Sequence, residues 1–146
     1  MSGFSEYTAS GILNFYFNGQ ALSVPDNIVL ALTSGLCVDT QNGATIPEVP
    51  SGINGSGTGY ARVTVNNPSV LQHFWTYNSG EVTNSGNITF NPCLVDWGVV
   101  SGVAVLDNAI YGSGNLLFHG AIKHKRDVYK GDVIKYDAGE CDICLE

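Results

Sequence analysis

Apolar residues at the start of the chain recur at helical spacing. Over 3–17, Phe4, Tyr7, Thr8, Gly11 and Phe15 share one face, while Leu13 and Phe17 fall on the far side. Ser2 or Ser5 can cap such a helix, and Glu6 stands in its first turn, where the helix dipole favours a carboxylate. Asn18-Gly19 supplies the stop. A helix that is apolar all round is buried on more than one side, and in a small domain the second side is often another subunit. Beyond Gly19 the period changes. Short β-branched runs predict strands at 28–33, 60–65, 70–77, 87–90, 99–106, 116–122, 133–136 and 140–145. Asn78-Ser79-Gly80, Asn84-Ser85-Gly86, Gly112-Ser113-Gly114 and Lys130-Gly131-Asp132 mark turns between them. Many short strands with Gly-rich turns predict a mainly β fold. It is an antiparallel β-sandwich or β-barrel with one N-terminal α-helix, in a single domain spanning 1–146.

Two segments break this rhythm. Residues 41–59 form a Gly- and Pro-rich loop, longer than the about 12–15 residues beyond which a structureless loop is functional or mobile. Residues 97–106 form the longest apolar run, but it carries Ser101 and two Gly and falls short of the about 20 residues that span a bilayer. Arg62 is the first cation, so the basic start of a secretory signal is lacking. The expectation is a protein made and folded in a cytoplasm, or exported by some other route such as cell lysis, with no membrane partner.

Charge sharpens the picture. Only 13% of residues are charged, against about 25% in an average soluble domain, while 44% are hydrophobic. So sparse a charge predicts a surface largely covered by partners. The net charge of −7 argues against nucleic acid or an anionic membrane. It is unevenly spread: residues 1–122 carry one basic and seven acidic groups, and 123–146 carry five basic and six acidic. Lys123, Lys125, Arg126, Lys130 and Lys135 read as a solvated, salt-bridged hairpin, or else as a contact for an acidic protein.

The search for reactive chemistry returns structural readings. Gly55-Ser56-Gly57-Thr58-Gly59 lacks the Lys and the following helix of a phosphate loop, and Tyr60 stands where a dinucleotide fingerprint needs a third Gly. There is no Gly-x-Ser-x-Gly elbow, and His73, His119 and His124 form no metal pair. His119 reads as a strand residue with its ring satisfied by a backbone carbonyl. Asp96 and Asp107 lie at opposite ends of an extended run and read as turn or capping groups. Cys141 and Cys144 are three apart in an alternating stretch and so face opposite ways. With Cys37 and Cys93 isolated, all four cysteines are expected as free thiols. Tyr60 and Arg62 share a strand face, where Arg62 is expected to pair with a carboxylate or carbonyls and fasten the long loop. His73, Trp75 and Tyr77 also share a face and could form a stacking platform for a sugar. No cofactor, metal or catalytic residue is expected, and the chain is read as no enzyme.

Several motifs in order give the chain a resemblance. These are Phe4-Ser5-Glu6-Tyr7 through Ile12-Leu13-Asn14 to Phe17-Asn18-Gly19, then Val29-Leu30-Ala31-Leu32-Thr33-Ser34, then Gly59-Tyr60-Ala61-Arg62 at the end of a Gly-rich loop. Asn87-Ile88-Thr89-Phe90, Asp96-Trp97-Gly98, Ala104-Val105-Leu106-Asp107 and Gly114-Asn115-Leu116-Leu117-Phe118-His119-Gly120 follow, and Gly131-Asp132 and Ala138-Gly139 close the series. Together they resemble a family of small tailed-phage virion proteins of tail-fibre-like or capsid-decoration-like type. The 41–59 loop and the Cys-rich end depart from that pattern. The resemblance implies a non-enzymatic structural protein on the virion surface.

The first expectation is a capsid decoration (cement) protein, a homo-oligomer, as a trimer, that staples major capsid protein subunits. The alternative is a tail-fibre or baseplate component contacting tail proteins. A carbohydrate-binding module for a host glycan is the alternative of another class. The expected interface comprises Phe4, Tyr7, Leu13, Phe15, Tyr16 and Phe17 of the helix, with Ile46, Val49 and Ile53 of the loop. Tyr60, Arg62, Asp96 and Trp97 are expected to be structural.

Overall fold

The computed structural model describes residues 3–50, 57–66 and 74–144. A two-residue strand β1 (Gly3–Phe4) leads into helix α1 (Glu6–Asn18), followed by β2 (Ile28–Thr33) and β3 (Val63–Asn66). A hairpin, β4 (Trp75–Asn78) and β5 (Glu81–Asn84), precedes β6 (Ile88–Thr89), β7 (Gly98–Leu106) and β8 (Leu116–Val128). β9 (Lys135–Tyr136) and β10 (Asp142–Cys144) end the described chain.

Hydrogen-bonded strands make a five-stranded antiparallel sheet in the order β1-β8-β7-β2-β3, with smaller sheets β10-β5-β4 and β6-β9. The fold is mainly β, with antiparallel sheets and a single N-terminal helix, and none of the three sheets closes into a barrel among the described residues. β2 lies inside the large sheet, and its alternation explains its unbroken apolar run. Leu30 and Leu32 face one cluster, with Val100, Val105, Ile88, Phe90, Val128 and Ile134. Val29 and Ala31 face the other, with Cys37, Ile46, Ala104, Leu106 and Leu116. A strand covered on both faces reads as continuously hydrophobic, which is why 28–33 is so plain in the sequence.

The helix begins later than its apolar spacing predicts. Phe4 is not helical: it pairs with Phe118 in β1, and the two rings lie 5.1 Å apart. The expected helical stripe beginning at Phe4 therefore starts one turn further on. Ser5 is the cap, accepting from the Thr8 N–H at 3.2 Å. Its hydroxyl also donates to the Leu116 carbonyl, its own N–H reaches the Leu117 carbonyl at 3.0 Å, and Thr8 Oγ1 donates to the same carbonyl at 2.9 Å. Gly19 ends the helix at φ 65°, a left-handed conformation that glycine adopts without a Cβ penalty.

β8 is longer than expected and irregular. Val100 pairs with Arg126 and Gly102 with Ala121, so Ile122, Lys123, His124 and Lys125 stand opposite Ser101 alone. These extra residues form a β-bulge, which no alternation pattern announces.

Candidate functional site

The tightest polar arrangement gathers around Glu48. Arg62 lies just before β3, and all five of its guanidinium hydrogens are used. Nε and Nη2 reach the two Glu48 oxygens at 2.8 Å each, Nη1 reaches the Asn108 and Ser113 carbonyls at 2.8 and 2.7 Å, and Nη2 also reaches the Gly43 carbonyl at 3.2 Å. Tyr60 donates to Glu48 Oε1 at 2.7 Å and accepts from the Leu32 N–H at 3.1 Å. Both side chains of the pair are buried. Burial of its ring, and then the Glu48 charge, hold the Tyr60 hydroxyl well above its ordinary value, so it remains a donor.

The Gly-Tyr-Ala-Arg motif is thus a clamp that ties the 34–50 segment to β2 and to the β7–β8 connection. Gly59 is required at its head. Its φ is +77°, and a Cβ would lie 2.4 Å from the Pro92 carbonyl oxygen. The Tyr60 ring is boxed by Phe90, Trp97 and Tyr111, at centroid distances of 6.3, 5.2 and 6.0 Å. Trp97 donates from its indole to the Thr58 carbonyl at 3.0 Å. Asp96 accepts from the Lys130 N–H at 2.8 Å, and Asp107 accepts from Asn115 twice, so both carboxylates hold turns.

Glu48 itself carries no motif. Its only sequence signal is one carboxylate inside the apolar run Ile46-Pro47-Glu48-Val49-Pro50. His119 was expected to bond a carbonyl; instead its Nε2 lies 2.8 Å from Asp39 Oδ1. Asp39 also accepts the Glu6 N–H through its own carbonyl at 2.8 Å, so this contact anchors the start of α1.

The second arrangement is apolar. No residue of α1 is buried. Its inner side, with Thr8, Gly11 and Ile12, lies toward the body of the protein. Tyr7 and Phe15, which share that side by helical spacing, are nonetheless exposed, and the outer side exposes Leu13, Tyr16 and Phe17, with Tyr16 75% and Phe17 81% exposed. Two of the expected interface positions in the loop are corrected. Ile46 and Val49 are buried in the subunit's own core, because the clamp folds the loop inward. Ile53 lies outside the described residues.

Two residues of the expected sugar platform, Trp75 and Tyr77, lie on β4. Trp75 is half-buried against the core and meets Phe74 edge-on at 5.8 Å, while Tyr77 is exposed. His73 lies outside the described residues. Cys37, Cys93 and Cys141 are free, and the Cys144 side chain lies outside the description. Burial pushes each of those three thiols up to about 11.

A family model described as podophage GP4 fiber I protein gp80 matches residues 3–144. The chain belongs to the gp80 fibre family. Membership makes it a tailed-phage virion structural protein and implies a virion-associated location. It favours the fibre alternative, while the expectation of a capsid decoration protein gains no support from a family of fibre proteins. A search of the curated proteins finds no match.

Proposed function

We propose that this gp80-family chain is a non-enzymatic fibre subunit of the phage tail, and that it assembles with copies of itself through the outer face of α1. The match to a fibre family over 3–144 carries the reading. The outer helix face supports it physically: Leu13, Tyr16 and Phe17 are exposed on a helix pinned at its base by Ser5 and Thr8. Covering such side chains contributes about 1.5–3 kcal/mol each when burial is complete. The buried polar groups serve the scaffold, since Glu48, Tyr60 and Arg62 spend their hydrogen bonds on one another and on the backbone.

Co-sedimentation with capsids lacking the protein, alongside tail-only particles, tests the location. Binding to tails at a few copies per particle is expected, and saturable binding at hundreds of copies per capsid would restore the decoration reading. The helix face is tested by L13E/F17E, which is expected to shift the purified protein to a smaller species in sedimentation. An unchanged assembly would remove α1 from the interface.

A further inference from the structure

The β8 bulge gathers charge that the rest of the molecule does not neutralise. Lys123, His124, Lys125 and Arg126 are consecutive and all exposed. Among the described residues the ion pairs are Arg62–Glu48, His119–Asp39 and Lys135–Asp137, so Lys123, Lys125 and Arg126 have none. The bulge takes Lys123, His124 and Lys125 out of the ladder opposite Ser101, Arg126 re-enters it against Val100 with the exposed Asp127 beside it, and Ile122 stays packed on the core. On the opposite edge of β8, β1 covers only Phe118 and His119.

The complementary surface is on the same molecule. A groove of about 830 Å³ runs between α1, the 20–25 segment and residues 39–42, floored by Phe4, Leu117 and Phe118. It has no Lys or Arg in its lining, while Glu6 stands in its wall together with Asp39, whose carboxylate already holds His119. Asp26, also exposed, directly follows the lining residue Pro25 in sequence. The bulge cannot fill its own groove. It lies on the same paired strand as the floor, and Phe118 to Ile122 spans roughly 13 Å at about 3.3 Å per residue.

We infer that the cationic stretch 123–126 of one copy docks in the α1 groove of a second copy, against its Glu6 and the neighbouring Asp26, forming a head-to-tail contact separate from the outer face of α1. Such a heterologous contact builds rings or open arrays, according to whether its rotation closes. Lysines and bulges also guard open strand edges against pairing; that role requires charge on β8 but no carboxylates on a partner surface. The inference rests on the reading of the chain as a self-assembling subunit.

Sedimentation velocity of the purified chain separates the possibilities. Association is expected at 20 mM NaCl and should weaken at least tenfold at 500 mM, because exposed charges are then screened. K123E/K125E/R126E should lose the same salt-sensitive step. E6K/D26K should lose it too, and combining the two sets should restore it to within about threefold, relative to the screening argument. The milder K123Q/K125Q should give a partial loss and serves if either reversal disturbs the circular dichroism of the fold. If the wild type associates and reversal changes nothing, or the two sets fail to compensate, the contact is overturned while self-assembly stands. A wild type that stays monomeric overturns both. Dextran sulfate binding lost on reversal, with self-association untouched, would assign the cations to a polyanion and overturn the inference.

Discussion

Arg62 shows how one residue can hold a long loop in place. A guanidinium has five donors in a fixed fork, and here all five are met by one carboxylate and three carbonyls from segments far apart in sequence. Breaking a buried pair costs more than the pair contributes, because the partner is left charged and unpaired. Arg62→Met is therefore expected to lower unfolding free energy by about 3–5 kcal/mol in urea denaturation. Adding Glu48→Gln to it should recover part of the loss, since the stranded charge is gone; a fully additive double variant would show that the two residues do not act together. Gly59→Ala should also destabilise, through its positive φ and the clash with Pro92 rather than through lost contacts.

At the scale of elements, α1 depends on its first turn. Ser5→Ala removes the cap to Thr8 and the hydroxyl's bond to the Leu116 carbonyl, and is expected to cost about 1–2 kcal/mol. Hydrogen exchange should show the loss concentrated in α1; uniform acceleration across β2 and β7 would mean that the cap supports the whole fold instead. The elements differ in how plainly the sequence announces them. β2 is legible at 28–33 because both of its faces are buried, and 98–106 is legible for the same reason. β5 is not, because Glu81-Val82-Thr83-Asn84 is short, polar and enclosed by two turn signals. Its pairing depends on β4 and β10, which local pattern does not encode. β1 is masked by the helical spacing of Phe4 with Tyr7, and only the distant Phe118 recruits it to the sheet. In the clamp, Tyr60 and Arg62 are visible as a same-face pair, but Glu48 is not, since its partner lies fourteen residues away across a loop. The helix itself is legible from its apolar spacing and its Asn18-Gly19 stop. The inward fold of Ile46 and Val49 is not, because it follows from the clamp.

For the whole molecule, the buried acids set a limit on alkaline stability. Burial raises the thiols of Cys37, Cys93 and Cys141 from 9.0 to about 11, and the Tyr136 hydroxyl from 10.0 to about 12. Tyr60 is raised as well, by burial first and then by Glu48. Each group is neutral when protonated, and the fold holds that form. Between pH 9 and 11 the unfolded chain releases thiol protons that the native chain retains. The unfolded state then binds fewer protons than the native state, so unfolding free energy falls as pH rises. Below pH 9 both states keep these protons, and the groups add no slope. Urea midpoints are accordingly expected to be flat, as far as these groups are concerned, from pH 8 to 9 and to decline steadily toward pH 11. Replacing Cys37 and Cys93 by Ala should shallow that decline. The same protection keeps thiolate scarce in the native state, so Cys37 and Cys93 should resist a thiol-labelling reagent at pH 8 until the chain is unfolded. Rapid native labelling of both would mean that the two sites open to solvent far more often than their packing against the sheet permits, and their share of the alkaline decline would then be lost.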